Sequence, residues 1–139
     1  MNKINVGKVI LGGIVGGIAA GVIDWFLNEK LFSAYWATEA IKGLAKGPSA
    51  ATIIPELLID CGIALIGTIL YALARPRLGG SAVSGLKMAL LVGILVALPG
   101  GIGMLVWEDG GHGLWIPMLA SSFLIPAVGT FFGAAVYKE

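Results

Sequence analysis

Three carboxylic acids fall inside or beside long apolar runs, where a side chain of that type has to find a partner. Asp24 lies near the end of the first run, and Glu56 and Asp60 lie four residues apart near the start of the second. A spacing of four places Glu56 and Asp60 on one face of a helix, in a stripe continued by Ile63, Gly67 and Ala74. Asp24 follows Gly17 by seven residues and Gly21 by three, so it shares their helical face. An ionisable group at membrane depth is a functional candidate by default, because an isolated charge there is expensive. The chemistry open to these three is the binding of a cation or a proton, with Asp24 and Asp60 as the site and Glu56 as an outer relay. The plainer alternatives are a structural hydrogen bond for Asp24 and Asp60, and for Glu56 an anion in the first turn of its helix, where the dipole favours it.

A weaker group is His112 with Glu108 and Asp109, around the loop Gly110-Gly111-His112-Gly113. Imidazole and carboxylate together suit a divalent metal, whereas the plain reading is an exposed histidine beside a solvated acidic rim. Cys61, the one cysteine, excludes an internal disulfide and reads as a packed, inert thiol in an apolar span. There is no paired-histidine zinc motif, phosphate-binding glycine loop, nucleophile elbow or Cys-x-x-Cys. The expectation is a protein that is not an enzyme and carries no cofactor.

The elements that position these residues follow from composition. The chain has 139 residues, 58% of them hydrophobic and only 12% charged, with a mean hydropathy of +0.94. So few polar groups cannot cover a soluble surface, which places the chain in a bilayer. A net charge of +1 excludes a nucleic-acid binder, which needs a basic patch. Four apolar runs, about 6–27, 53–74, 84–107 and 114–137, each approach the ~20 residues that cross a bilayer as helix. Between the first two, about 29–46, Leu31, Phe32, Tyr35 and Trp36 suit a short interfacial helix, although Glu39 interrupts its apolar sector. Gly47-Pro48-Ser49 ends that segment, Thr52 and Pro55 open the second span, and Arg75-Pro76-Arg77 closes it. The expected class is therefore all-α, an integral membrane four-helix bundle forming a single domain.

Two further patterns shape the bundle. Residues 54–72 shifted by 62 positions fall on 116–134, with Ile54, Pro55, Leu57, Ile63, Gly67, Thr68 and Ala72 matched by Ile116, Pro117, Leu119, Ile125, Gly129, Thr130 and Ala134. This echo predicts two parallel helical-hairpin repeats, although Met118 and Ser122 stand where the acids would recur. Glycines are also spaced for close helix contact: Gly13, Gly17 and Gly21 beside a second row of Gly12, Gly16 and Ala20, then Gly67, Gly93, Gly100, Gly103, Gly129 and Gly133. Lys3, Lys8, Arg75, Arg77, Lys87 and Lys138 outnumber Lys30, Lys42 and Lys46 across the predicted membrane, which places both termini in the cytoplasm. Nearly all the acids then gather toward the outer face.

The opening run Ile4-Asn5-Val6-Gly7-Lys8-Val9-Ile10-Leu11-Gly12-Gly13, with Asp24-Trp25-Phe26-Leu27-Asn28 and Trp36, resembles the start of an uncharacterised group of small bacterial inner-membrane proteins with four predicted transmembrane helices. The resemblance covers mainly the first third of the chain. It implies a bacterial inner membrane and a four-helix form, and it carries no activity. The favoured expectation is a non-catalytic accessory or structural subunit that packs by its glycine faces against other membrane subunits or a second copy of itself. The alternative is a small cation- or proton-coupled carrier using the acids.

Overall fold

The computed structural model describes residues 4–37, 49–107 and 115–137, with 101–107 and Trp115 as backbone only. Helix α1 spans Val6–Trp25 and continues through a π-helical turn, Phe26–Leu31, into the single-turn α2, Ser33–Trp36. Three long helices follow: α3 (Ala50–Leu78), α4 (Ala82–Trp107) and α5 (Trp115–Tyr137). Four segments are long and apolar enough to cross a membrane, and no strand occurs among the described residues.

Local chemistry moves several boundaries from where the sequence alone places them. The first span runs beyond Leu27 because the helix widens there rather than stopping, with Phe32 N–H donating to Leu27 O at 2.7 Å. Of the segment expected to be an interfacial helix, the described part is the end of this turn and α2, and residues 38–48 lie outside the described chain. Helix α3 begins before Thr52. Ser49 is its N-cap, and Thr52 is the return partner of a capping box, accepting from Ser49 N–H at 3.0 Å. Pro55 and Glu56 consequently sit in the second turn and not the first. Arg75-Pro76-Arg77 does not end α3 either. A proline in the last turn removes a single backbone bond, and the helix runs on to Leu78 until Gly79, at φ 83°, turns the chain out. Ser84 Oγ then donates to Leu78 O at 2.6 Å and ties the start of α4 to this turn.

Glycine decides how the helices meet. The two rows on α1 serve different neighbours. Along the first row, a methyl at Gly13 would stand 2.9 Å from Leu65 Cβ, and one at Gly17 would run into Cys61, so this row lies against α3. Along the second, a methyl at Gly12 would stand 2.8 Å from Gly133 O and also 2.8 Å from Thr68 Cγ2, while Gly16 abuts Gly129 O and Ala64. That row fills the seam where α1, α3 and α5 converge. From the other side Thr130 seats on Gly67 and Thr68 on Gly133. Helix α4 joins through Gly93, which lies under the Phe123 carbonyl and ring, with Gly85 near Ala134 and Gly100 near Ser122. The contacts of Gly103 lie outside the described side chains.

These pairings run α1 antiparallel to α3 and α5, α3 parallel to α5, and α4 antiparallel to α5. Asn5 N–H donates to Tyr137 Oη at 3.2 Å, so the beginning of α1 and the end of α5 share one end of the bundle. The main apolar cluster lies at that end, where Val9, Tyr71, Ala72, Met88, Val92, Ala134 and Tyr137 pack together. Outward, Ile10, Ile14, Ile18 and Val22 form an exposed stripe along α1, the lipid-facing counterpart of its glycine faces. The packing is not twofold symmetric. Helix α5 lies broadly against α1, α3 and α4, whereas the α3–α4 contact, which a twofold would make equal to α1–α5, is slight.

Candidate proton or cation site

At the end of the bundle opposite the termini, the α1–α3 interface loosens. A methyl at Gly21 would meet the flexible end of Leu57, Cδ1, at 3.3 Å, a tight contact that a small shift relieves, and Asp60 Oδ2 at an ordinary 3.5 Å, whereas methyls at Gly13 and Gly17 would stand less than 3.0 Å from Leu65 and Cys61. The Asp60 side chain enters the space that Gly21 leaves. Asp60 is 7% exposed, and its Oδ2 is buried without a hydrogen-bond partner among the described residues. A buried carboxyl oxygen left unpaired is costly in protein and more so in lipid, so it calls for a proton, an ion or a water.

Asp24 and Glu56 stand within electrostatic reach of Asp60, and Glu56 also feels Asp24 and Glu29. The structure thus gathers the three acids singled out by their spacing into one field at one end of the α1–α3 seam. Their roles differ. Glu56 is exposed, one helical turn toward the helix start from the buried Asp60. Asp24 is half-buried and engaged, its Oδ1 accepting from Asn28 Nδ2. Lys30, the nearest cation in the sequence, instead places its ammonium over the Trp25 ring at 5.2 Å. The π turn makes that i,i+5 pair neighbours.

Asn28 was not legible as a site residue. Its Oδ1 also accepts from Trp36 Nε1 at 3.0 Å and lies 3.4 Å from Ser121 Oγ, which donates to it, so α1, α2 and α5 meet on one carboxamide. Only the asparagine itself could have hinted at this, because contacts across eight and 93 residues leave no periodic trace.

Among the described residues no three His, Cys, Asp or Glu side chains converge as ligands for a metal ion. His112, Glu108 and Asp109 lie outside the described residues. Two further buried hydroxyls, Thr130 Oγ1 and Tyr71 Oη, lack partners among the described residues, both in the core of the bundle. Comparison of the chain with protein-family models, with curated proteins and with solved structures gives no match.

Proposed function

We propose that this chain is a small proton- or cation-coupled membrane carrier whose binding group is Asp60, with Asp24 beside it and Glu56 as the exposed relay. The observation that carries this reading is the unpartnered Asp60 Oδ2, buried in the gap left by Gly21 and facing the field of two further acids. A bilayer protein gains nothing in packing from such an oxygen, since an asparagine or a leucine would fill the same volume at lower cost. A bound proton or monovalent cation removes that cost, and its release restores it, which is what coupling requires. The basic-residue count supports an orientation with both termini in the cytoplasm and the acids toward the outside, and the opening residues support a bacterial inner membrane.

The reading as an accessory subunit draws on the excess of close-packing glycine faces and on the lack of a complete reaction centre. Gly12, Gly13, Gly16, Gly17, Gly67, Gly129 and Gly133 meet neighbours within the bundle, so these glycines do not themselves call for a partner.

Purified protein reconstituted in liposomes with a pH-sensitive dye inside, under an imposed potassium diffusion potential, tests the carrier reading. Wild type is expected to pass protons, or sodium when a sodium gradient replaces the proton gradient, and Asp60→Asn is expected to pass neither while eluting as the same particle in detergent. No flux of either ion in wild type sinks the carrier. Extraction from native membranes as a particle far above 14.3 kDa with stoichiometric partners would then return the accessory subunit.

A further inference from the structure

We propose that Asn28 is a positioning residue through which α2 and α5 hold the Asp24 carboxyl in place beside the Asp60 site, a role that rests on the proton or cation reading of that site. The orientation of the amide is fixed by its neighbours. An indole N–H can only donate, so the group facing Trp36 Nε1 has to be Oδ1, and the amide nitrogen is thereby turned to Asp24 Oδ1. Ser121 Oγ, a buried side chain on α5, donates to the same Oδ1. Each partner comes from a different element, and each constrains the same rotamer.

The local backbone is what makes this convergence feasible. In a continuous α-helix Trp36 would lie ~12 Å along the axis from Asn28, beyond the comfortable reach of the two side chains. The π turn and the non-helical Phe32, at φ −106° and ψ 8°, redirect the chain so that α2 packs against the π turn and Trp36 reaches Asn28. A π turn costs hydrogen-bond geometry and recurs at functional sites. Here it sets Trp36 onto Asn28 and, through the same widening, brings Lys30 onto Trp25.

The consequence is a division between the two acids. Asp24 keeps one oxygen occupied by a neutral donor, which orients it without cancelling its charge, and Asp60 keeps one oxygen unoccupied. Loosening Asn28 frees the Asp24 carboxyl to rotate and to react.

Dicyclohexylcarbodiimide, an apolar reagent that adds the oxygen of a carboxylic acid to its central carbon while the acid's proton passes to a diimide nitrogen, reads this directly. Full-length protein in detergent is treated, and modification at Asp24 and Asp60 is followed by peptide mass spectrometry. Asp60 is expected to label in wild type and Asp24 to resist. In Asn28→Leu, Asp24 labelling is expected to rise at least fivefold with Asp60 labelling retained. Trp36→Phe and Ser121→Ala each give an intermediate rise, and neither adds to Asn28→Leu, since both act through the amide. Equal Asp24 labelling in wild type and Asn28→Leu overturns the proposal, as does a Trp36→Phe effect that persists undiminished without the amide. Because labelling needs no ion flux, a failure of Asn28 is distinguishable from a failure of the carrier, which shows as a wild type that passes neither protons nor sodium.

Discussion

Gly21 of α1 and Asp60 of α3 face each other across a gap the size of a methyl group, with Oδ2 standing 3.5 Å from where a Gly21 Cβ would lie. One turn earlier on the same row the gap has closed, and a Gly17 Cβ would stand 2.8 Å from the backbone nitrogen of Cys61. The same residue type therefore does two jobs on one helix face: it seals the seam at Gly17 and opens it at Gly21.

That contrast predicts opposite outcomes for one substitution. Gly17→Ala forces α1 off the backbone of α3 and is expected to destabilise the bundle by ~1–3 kcal/mol, the range for overpacking a tight contact. Gly21→Ala meets only the flexible end of Leu57 and the carboxyl, and it should leave thermal stability in detergent unchanged or slightly raised through helix propensity. Similar melting losses for both variants would mean that the gap at Asp60 is not there.

The threonine seats at the waist make a second test. Gly67→Ala drives a methyl into Thr130 and is expected to be among the most damaging single changes in α3. Thr130→Ala deletes Oγ1 and Cγ2, leaving only its Cβ against the new methyl, and removes a hydroxyl that has no partner among the described residues, so alone it should cost little. The double variant should be more stable than the sum of the singles predicts, by ~0.5–3 kcal/mol, the range for residues in direct contact. Additive losses in a thermal double-mutant cycle would show that the two residues do not touch.

Much of this fold is written in the sequence because lipid leaves few choices. Apolar runs of membrane-spanning length have to be helices, and glycines at four-residue spacing mark close contact before any partner is known. The face holding Asp24, Gly17 and Gly21 was legible for that reason, as was the stripe from Asp60 to Gly67. Periodicity assigns a residue to a face without saying which helix covers it. It could not show that the Gly12 row meets α5 while the Gly13 row meets α3, nor that α5 would be central and the packing unsymmetric despite the echo between residues 54–72 and 116–134. The π turn escaped because Phe26–Leu31 contains no proline or glycine to announce it, and with it escaped Asn28.

Glu56 and Asp60 should separate in transport. Glu56 is exposed, and Glu56→Gln removes a charge from the approach without touching the buried oxygen. Its expected effect in liposomes is a two- to fivefold loss of ion flux that deepens as ionic strength falls, since exposed charges steer ions most strongly when unscreened. Asp60→Asn is expected to abolish flux at every salt concentration. A salt-independent, complete loss in Glu56→Gln would make it part of the binding group rather than a relay.

The two core tyrosines offer a last contrast. Their rings pack edge to face with centroids 6.3 Å apart, yet their hydroxyls differ. Tyr137 Oη accepts from Asn5 N–H, and Tyr71 Oη, fully buried, has no partner among the described residues. Deleting a paired hydroxyl costs ~0.5–1.5 kcal/mol, whereas deleting an unpaired buried one relieves a desolvation penalty. Tyr137→Phe is therefore expected to lower the melting temperature in detergent and Tyr71→Phe to hold or raise it. Should Tyr71→Phe be the more damaging change, its hydroxyl must be satisfied by internal water, and the α1–α3–α5 seam would be hydrated well beyond the acids at its far end.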